Sequence, residues 1–325
     1  MLQGAGMKGL VALDSATAWL NTPPLTATDL RGNVVVVNFW TYTCINWIRT
    51  LPHVRAWADR YRDHGLVLLG VHSPEFGFEH DLGNVRRAVA GMRVGHPVAV
   101  DNDFRIWQAF DNRYWPALYF IDARGELRHT HFGENDYQQS EMVIQDLLTE
   151  SGRQIPPRGP GTVDAAGLEL PADWDNLASP ETYLGYERAE NFASPGGAVA
   201  DVPHSFAAPA RWVLIDWALT GDWTVGPREA RLHASGGSIV FRFHSRDVHL
   251  VLSSQPHSEP VRFRVSLDGR PPGAAAGLDV DAEGRGALTE PRLYQLVRRA
   301  GTVTDGTFEI TFLDPGALAH VFTFG

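Results

Sequence analysis

Sulfur is the scarcest resource of this 325-residue chain, which holds one cysteine and four methionines. With Cys44 alone, an intrachain disulfide and any zinc site built from several thiolates are excluded. Lysine is just as rare: Lys8 is the sole one, so nearly all positive charge is arginine. The net charge of −10 argues against a nucleic-acid or anionic-membrane surface, both of which need clustered cations. No run of about eighteen apolar residues occurs, so no transmembrane helix is expected. The opening "MLQGAGMKGLVALDSATAWL" has one basic residue, an apolar stretch interrupted by Asp14 and no small-residue cleavage pattern, which makes a poor signal peptide. As written, the chain reads as cytoplasmic; as a piece of a longer protein it reads as extracytoplasmic. A phosphate-cradling glycine loop, a Gly-x-Ser-x-Gly elbow and an HExxH helix are all missing, and the histidines show no ligand spacing, so no cofactor and no transition metal are expected.

What is present divides into two textures. In the first half, strand and helix signals alternate. Val34–Trp40 is a continuous apolar run, read as a buried parallel strand, and Leu66–His72 is a second. Between them, Ile48, Leu51, Val54, Trp57 and Tyr61 have helical spacing, ended by "HG" at His64–Gly65. Helices are expected over 84–92, 104–110 and 136–150, a short extended piece over 97–100, and a hairpin over 117–131 around "ARGE". Together these predict an α/β sandwich over residues 1–150. Residues 151–176, "SGRQIPPRGPGTVDAAG" and onward, are rich in proline and glycine without periodicity and read as a linker. Residues 177–325 show short alternating runs separated by turn residues: "RWVLIDWAL", "SIVFRFHS", "DVHLVLSS", "VRFRVSLDG", "TFEITFLD" and "HVFTFG". They predict an all-β antiparallel sandwich, with the Asp268–Gly269 pair as a hairpin turn.

The stretch "NFWTYTCINWIRTLP" places Cys44 where a buried strand hands over to a helix. Free amides and the helix dipole stabilise a thiolate at such a point. The stretch resembles the active-site motif of the thioredoxin fold, with Pro52 at the position of that fold's helix-kinking proline. "RYWPALYFID" resembles the segment that carries its cis-proline, which implies a cis bond at Trp115–Pro116 and a groove beside Cys44 shaped by Pro116. The insertion before that proline resembles the TlpA/ResA branch. "FWTYTCINWIRTLPHV", "GVHSPEFGFEH", "PETYLG" and the terminal "FTFG" make the chain similar to the soluble redoxin part of DipZ-type proteins. The resemblance covers both halves and implies a thioredoxin-like domain followed by a sandwich like a carbohydrate-binding-module jelly roll. It also implies thiol-disulfide oxidoreductase or antioxidant chemistry.

Two departures from that family point the same way. Trp47 stands where it has a second cysteine, and Asn38 where it commonly has an acid. In thioredoxin-like enzymes the buried acid helps deprotonate the resolving cysteine. Without that sulfur, a buried carboxylate only costs desolvation energy. Three readings of Cys44 stay open. It is a reactive monothiol resolved by an external thiol or a protein partner, with Cys44 as nucleophile. Alternatively the site is degenerate, and the groove and the sandwich serve binding. Or Cys44 is a buried small hydrophobe. Trp40, Thr41, Trp47, Glu75 and Trp115 are expected to shape the site, Trp47 being bulky enough to cover the sulfur. Thr41 repeats the threonine of a peroxiredoxin Thr-x-x-Cys motif, although Val37 replaces its proline and Arg113 is only a loose match for its arginine. Glu75 is expected in the loop after the second strand, where ResA-like proteins place a glutamate near their thiols.

Two further patterns carry expectations. "DVDAEGRGALTE" sets Asp279, Asp281, Glu283 and Glu290 at the spacing of a calcium loop, yet its flanks carry Pro271, Pro272 and Pro291 and do not read as helices. Trp212, Trp217 and Trp223, with Tyr183 and Tyr186, supply aromatics that stack on sugar rings if they lie on the sandwich face, and pack the core otherwise. A glycan is therefore the candidate partner of the second half.

Overall fold

The computed structural model describes residues 5–255 and 259–325. Two units separate by internal contacts, Met1–Leu170 and Pro171–Gly325. In the first, strands β1 (Ala18–Leu20), β2 (Val34–Trp40), β3 (Leu66–His72), β4 (Val98–Val100), β5 (Ala117–Ile121) and β6 (Leu127–Phe132) form one sheet. Its spatial order is β1-β4-β3-β2-β5-β6. Strands β2, β3 and β4 run parallel, while β1, β5 and β6 pair antiparallel with their neighbours. Helices α1 (Ala5–Val11), α2 (Ile45–Tyr61), α3 (Leu82–Gly91), α4 (Arg105–Ala109) and α5 (Tyr137–Glu150) complete the unit.

The unbroken valine run is explained by β2, which is buried along its whole length because both sheet faces are covered. Val34 and Val36 pack with Val54, Trp57 and Tyr61 of α2 and Ile144, Leu147 and Leu148 of α5. Val35, Val37 and Phe39 pack on the other face with Leu10 of α1, Ile106 of α4, and Leu69 and Val71 of β3. The pleat sends alternate side chains to opposite layers, each fully buried one contributing roughly 1.5–3 kcal/mol. Strand β1 is too short to give a periodic signal and was not expected; it is held by antiparallel pairing of Ala18–Leu20 with Val98–Val100.

The proline-rich segment after α5 is bound to the first unit. Arg60 on α2 donates to the carbonyls of Pro157 (2.7 Å) and Gly159 (2.8 Å), and Arg55 pairs with Glu169 at 2.6 Å. The Glu141 carboxylate of α5 accepts from the Gly161 N–H at 3.0 Å.

The second unit is all-β. Its strands are β7 (Thr182–Tyr183), β8 (His204–Phe206), β9 (Trp217–Val225), β10 (Ala230–Leu232), β11 (Ser238–Phe243), β12 (Asp247–Ser254), β13 (Val261–Leu267), β14 (Arg285–Leu288), β15 (Arg292–Arg298), β16 (Gly306–Phe312) and β17 (Ala317–Phe324). They form an antiparallel array ordered β14-β13-β16-β11-β9-β10-β17-β12-β15, with β7 beside β17 and β8 beside β9. The array curls on itself around one core. Phe308 of β16 meets Phe322 of β17 (5.7 Å), and Phe263 of β13 meets Tyr294 of β15 (6.3 Å), although these strands are far apart in the order. The bend lies in β9: Trp217–Thr220 pair with β11, Trp223–Val225 pair with β10, and Gly221 between them has φ +84°. A strand changing layers at a bend makes the corner of a sandwich.

Most expected strands are present, with one clear correction. "RWVLIDWAL" is strand only from Trp217 onward, because Ile215 adopts φ +72° and the Asp216 carboxylate accepts the Val213 N–H at 2.8 Å, which makes a turn. The Asp268–Gly269 turn has φ +50° and +72°, as a two-residue hairpin turn requires.

Candidate functional site

The site is built where β2 ends. Its last residues run through Thr41–Thr43 into Cys44, which is the N-cap of α2 with extended φ/ψ of −74° and 110°. The Cys44 N–H donates to the Thr41 carbonyl (3.3 Å), and the Cys44 carbonyl accepts the first helical bond from the Ile48 N–H (3.0 Å). Cys44 is half-buried, and its Sγ lies 3.9 Å from the Trp115 carbonyl oxygen. Trp115–Pro116 is a cis peptide bond and Pro116 is buried. The Trp115 indole donates to the Ser73 carbonyl at 3.1 Å and packs on Trp107 with ring centroids 4.4 Å apart. Three segments far apart in sequence are thus linked through Trp115: its carbonyl, before β5, faces the sulfur at the start of α2, and its indole holds the loop after β3.

Trp47 does not cover the sulfur. It is fully buried, one turn into α2, with its ring beneath the helix stacked on Trp40 at 4.1 Å between centroids. Its indole N–H donates to the Asn38 side-chain oxygen at 2.9 Å. Both departures noted in the sequence are therefore one contact. An indole N–H buried at this depth needs an acceptor, and a neutral amide supplies one without the desolvation cost of a carboxylate. Trp40 likewise shapes the site from below, since it too has no exposed surface. His72, at the end of β3, lies between Trp40 (4.9 Å, edge-on) and Tyr42 (5.8 Å, stacked). Burial pushes its pKa down to about 3, so it is a neutral core histidine.

A residue outside the sequence-based candidates, Glu79, occupies the most constrained position near the thiol. It is fully buried in a short 3₁₀ turn (Gly77–His80) after β3. One carboxylate oxygen accepts from the Thr43 hydroxyl at 2.7 Å; the other accepts from the backbone N–H groups of Glu75 (2.6 Å) and Phe76 (3.0 Å). Burial pushes its pKa up to about 7, against the opposing pull of the Thr43 hydroxyl and the Phe76 amide. Glu79 thus ties the loop after β3 to the residue next to Cys44, while Thr41 contributes through its carbonyl, which accepts the Cys44 N–H. Glu75 is half-buried in the same loop, its backbone held by Glu79. The signal in sequence was weak: "PEFGFEH" holds two glutamates, and only the fold tells which one turns inward. Arg113 is exposed and lies 3.5 Å from Asp111.

In the second unit, the calcium spacing does not assemble a cation site. Asp279 is taken by Arg292 (2.7 Å) and the Gln295 N–H (2.7 Å), and Asp281 accepts the Arg285 N–H at 2.7 Å. Glu290 lies 3.3 Å from the same Arg292. The loop glycine, Gly284, serves packing instead: at φ +78° an added Cβ would lie 2.1 Å from the Val265 carbonyl oxygen. Among the described residues no three His, Cys, Asp or Glu side chains gather into a metal cluster, Glu283 included. Trp217 and Trp223 are fully buried core residues, so neither offers a face to a sugar. Trp212 and Tyr183 are half-buried, and Tyr186 is exposed with its hydroxyl 3.1 Å from Asp201. No helix among the described residues is long and apolar enough to cross a membrane.

The AhpC/TSA family model matches residues 15–130, and the model described as "Thioredoxin like C-terminal domain" matches residues 179–325. Protein DipZ of Mycobacterium tuberculosis is 36% identical over 267 residues, covering 80% of this chain and 36% of DipZ. The chain therefore spans little more than a third of that relative. Thiol-disulfide oxidoreductase YkuV of Bacillus subtilis is 29% identical over 139 residues, covering 43% of this chain and 93% of YkuV. A thioredoxin-like protein solved in solution in its oxidized form is 31% identical, covering 41% of this chain and 90% of its own, with a TM-score of 0.39.

Proposed function

Since the chain is a thioredoxin-like protein, joining an AhpC/TSA-family α/β domain to a thioredoxin-like C-terminal β domain, we propose that it acts as a monothiol redox protein with Cys44 as its nucleophile. One observation carries this reading: the bulky residue in place of the second thiol is turned inward onto Asn38, and Cys44 stands only half-buried at the start of α2. The orphan amides of the first helical turn favour the thiolate there. The oxidoreductase relatives support thiol chemistry; the residues restrict it to steps that need no internal partner.

The cycle runs as two exchanges. The Cys44 thiolate attacks one sulfur of an external disulfide R–S–S–R′. The S–S bond breaks, R′–S⁻ leaves, and Cys44–S–S–R forms. With no other cysteine in the chain, a thiolate from an external thiol must attack this mixed disulfide. That attack forms a new external disulfide and returns Cys44 as thiolate, so each turnover consumes one external thiol. Attack follows the in-line geometry of thiol–disulfide exchange, so the open side of Sγ matters more than the pocket floor. Pro116 and Trp115 wall the groove in which the incoming disulfide lies.

The test is turnover of a glutathione–peptide mixed disulfide with glutathione as the second thiol. The full chain is expected to accelerate it at least a hundredfold over the uncatalysed exchange, and Cys44→Ser to abolish the effect. Equal rates with and without the protein, while Cys44 stays reduced, would mean that the groove binds without catalysing.

A further inference from the structure

Away from Cys44, the far end of α2 faces a cleft that the thiol chemistry does not use. Arg55, Ala58, Asp59 and Arg62 of α2 and its following turn, the start of β3 at Leu66–Leu68, and Arg93, Gly95, His96 and Pro97 after α3 line a cleft of about 340 Å³. That is the scale of a small-ligand site. A second hollow of about 510 Å³ adjoins it through Arg93 and Gly95 and adds Arg86. Arg55 is eleven residues beyond Cys44, about 16 Å along the helix, so a ligand here does not touch the sulfur.

The charges around the two hollows do not balance. The residues lining the two hollows include four guanidiniums (Arg55, Arg62, Arg86 and Arg93) and one carboxylate, Asp59; with Glu169, which pairs with Arg55, two positive charges are left over in a protein whose net charge is −10. Arg55 already holds the Glu169 carboxylate and Arg62 pairs with Asp59, whereas Arg86 and Arg93 make no ion pair among the described residues. Beneath the cleft lies His96, 6% exposed, whose ring nitrogens find no hydrogen-bond partner among the described residues.

The backbone at Arg93 adds an independent observation. After α3 the chain closes with a Schellman turn: Arg93 N–H donates to the Ala90 carbonyl (3.1 Å) and Val94 N–H to the Val89 carbonyl (2.9 Å). The residue at the left-handed position of such a turn is ordinarily glycine, yet here it is arginine at φ +54°. Backbone preference therefore opposes this side chain, and its charge gains no ion-pair partner among the described residues. We propose that the cleft binds a small organic phosphate, its dianion held by Arg93 with Arg62 and Arg86 and its organic part against Ala58, Leu66 and Pro97. Two unbalanced guanidiniums match a dianion, and their planar forks match phosphate oxygens.

Phenyl phosphate and inorganic phosphate are the probes, compared with chloride and benzoate at matched ionic strength, by thermal melting and titration calorimetry of the full chain. Phenyl phosphate is expected to raise the melting temperature where chloride does not, and to bind more tightly than inorganic phosphate or benzoate. Arg93→Gly and Arg93→Asn, both at ease with a left-handed backbone, should keep or raise the ligand-free melting temperature and weaken phenyl phosphate binding at least tenfold. Cys44→Ser should bind as the wild type does. Identical melting in phenyl phosphate and chloride, or undiminished binding by both Arg93 variants, overturns the proposal.

Discussion

At the scale of the residue, the site turns on a substitution pair. Trp47 and Asn38 satisfy one another at 2.9 Å where a second thiol and its acid stand in the dithiol family the sequence resembles. That both departures belong together was legible from sequence, because a buried acid without a thiol to deprotonate has no use. The direction of the Trp47 ring was not legible. Helical position alone permits it to lie over Cys44 or under α2, and only the stack on Trp40 decides. If the pair is the missing half of a dithiol site, Trp47→Cys with Asn38→Asp should reduce insulin at least tenfold above the wild-type background. Trp47→Cys alone should lose about 3–5 kcal/mol of stability, from the cavity and the orphaned Asn38 oxygen, and gain little activity. A folded double variant that stays at background, with Cys44 still reactive, contradicts the pairing.

At the scale of elements, the long ones announced themselves. The valine run of β2, the helical spacing of α2 and the second buried strand lie within a residue or two of their expected ends, since each buries a continuous apolar set against two layers. Elements set by pairing rather than by pattern were invisible. Strands β1, β7, β8 and β10 have three residues or fewer, and β14 has the sequence "RGAL". The loop after β3 belongs to the same class, because the Thr43–Glu79 bond joins residues 36 apart. Its consequence is measurable through pH. The raised pKa of Glu79 means that the folded state holds a proton which the unfolded state releases above its ordinary value of 4.5. Glu79 therefore contributes stability below about pH 4.5 that is lost as pH rises towards 7, on the order of 3 kcal/mol in all. Glu79→Gln removes this trend: relative to the wild type, the variant should become steadily more stable between pH 4.5 and 7 and parallel to it above. Parallel curves throughout would show that Glu79 is already ionised in the fold.

At the scale of the whole molecule, two units with separate cores share one chain, and both hide histidines. His72 and His96 in the first unit and His320 in the second are buried, and burial lowers their pKa values to about 3, 4 and 3. Each stays neutral in the fold and takes a proton on unfolding below its ordinary 6.5, so stability present above pH 6.5 is lost as pH falls. In the first unit His72 and His96 together outweigh the opposite trend of Glu79, and in the second His320 acts unopposed by it. Acidification from pH 7 to 5 should lower the melting temperature of each unit by several degrees; a flat profile would mean that these rings are solvated. The two-unit plan and the all-β character of the second half were legible in the change of texture near residue 151. The roles of the tryptophans were not, because a sandwich strand shows two faces and the sequence does not say which one is inside.

The central claim is that Cys44 is an open, activated monothiol, and the direct measurement is its reaction with dithiobis(nitrobenzoate) under native conditions between pH 5 and 8. The prediction is one equivalent of chromophore released per chain, faster below pH 7 than from a free small-molecule thiol. It also requires a single mixed-disulfide adduct by mass, persisting until external thiol is added. Release only after denaturation, or at the rate of an ordinary thiol across the whole range, would contradict it.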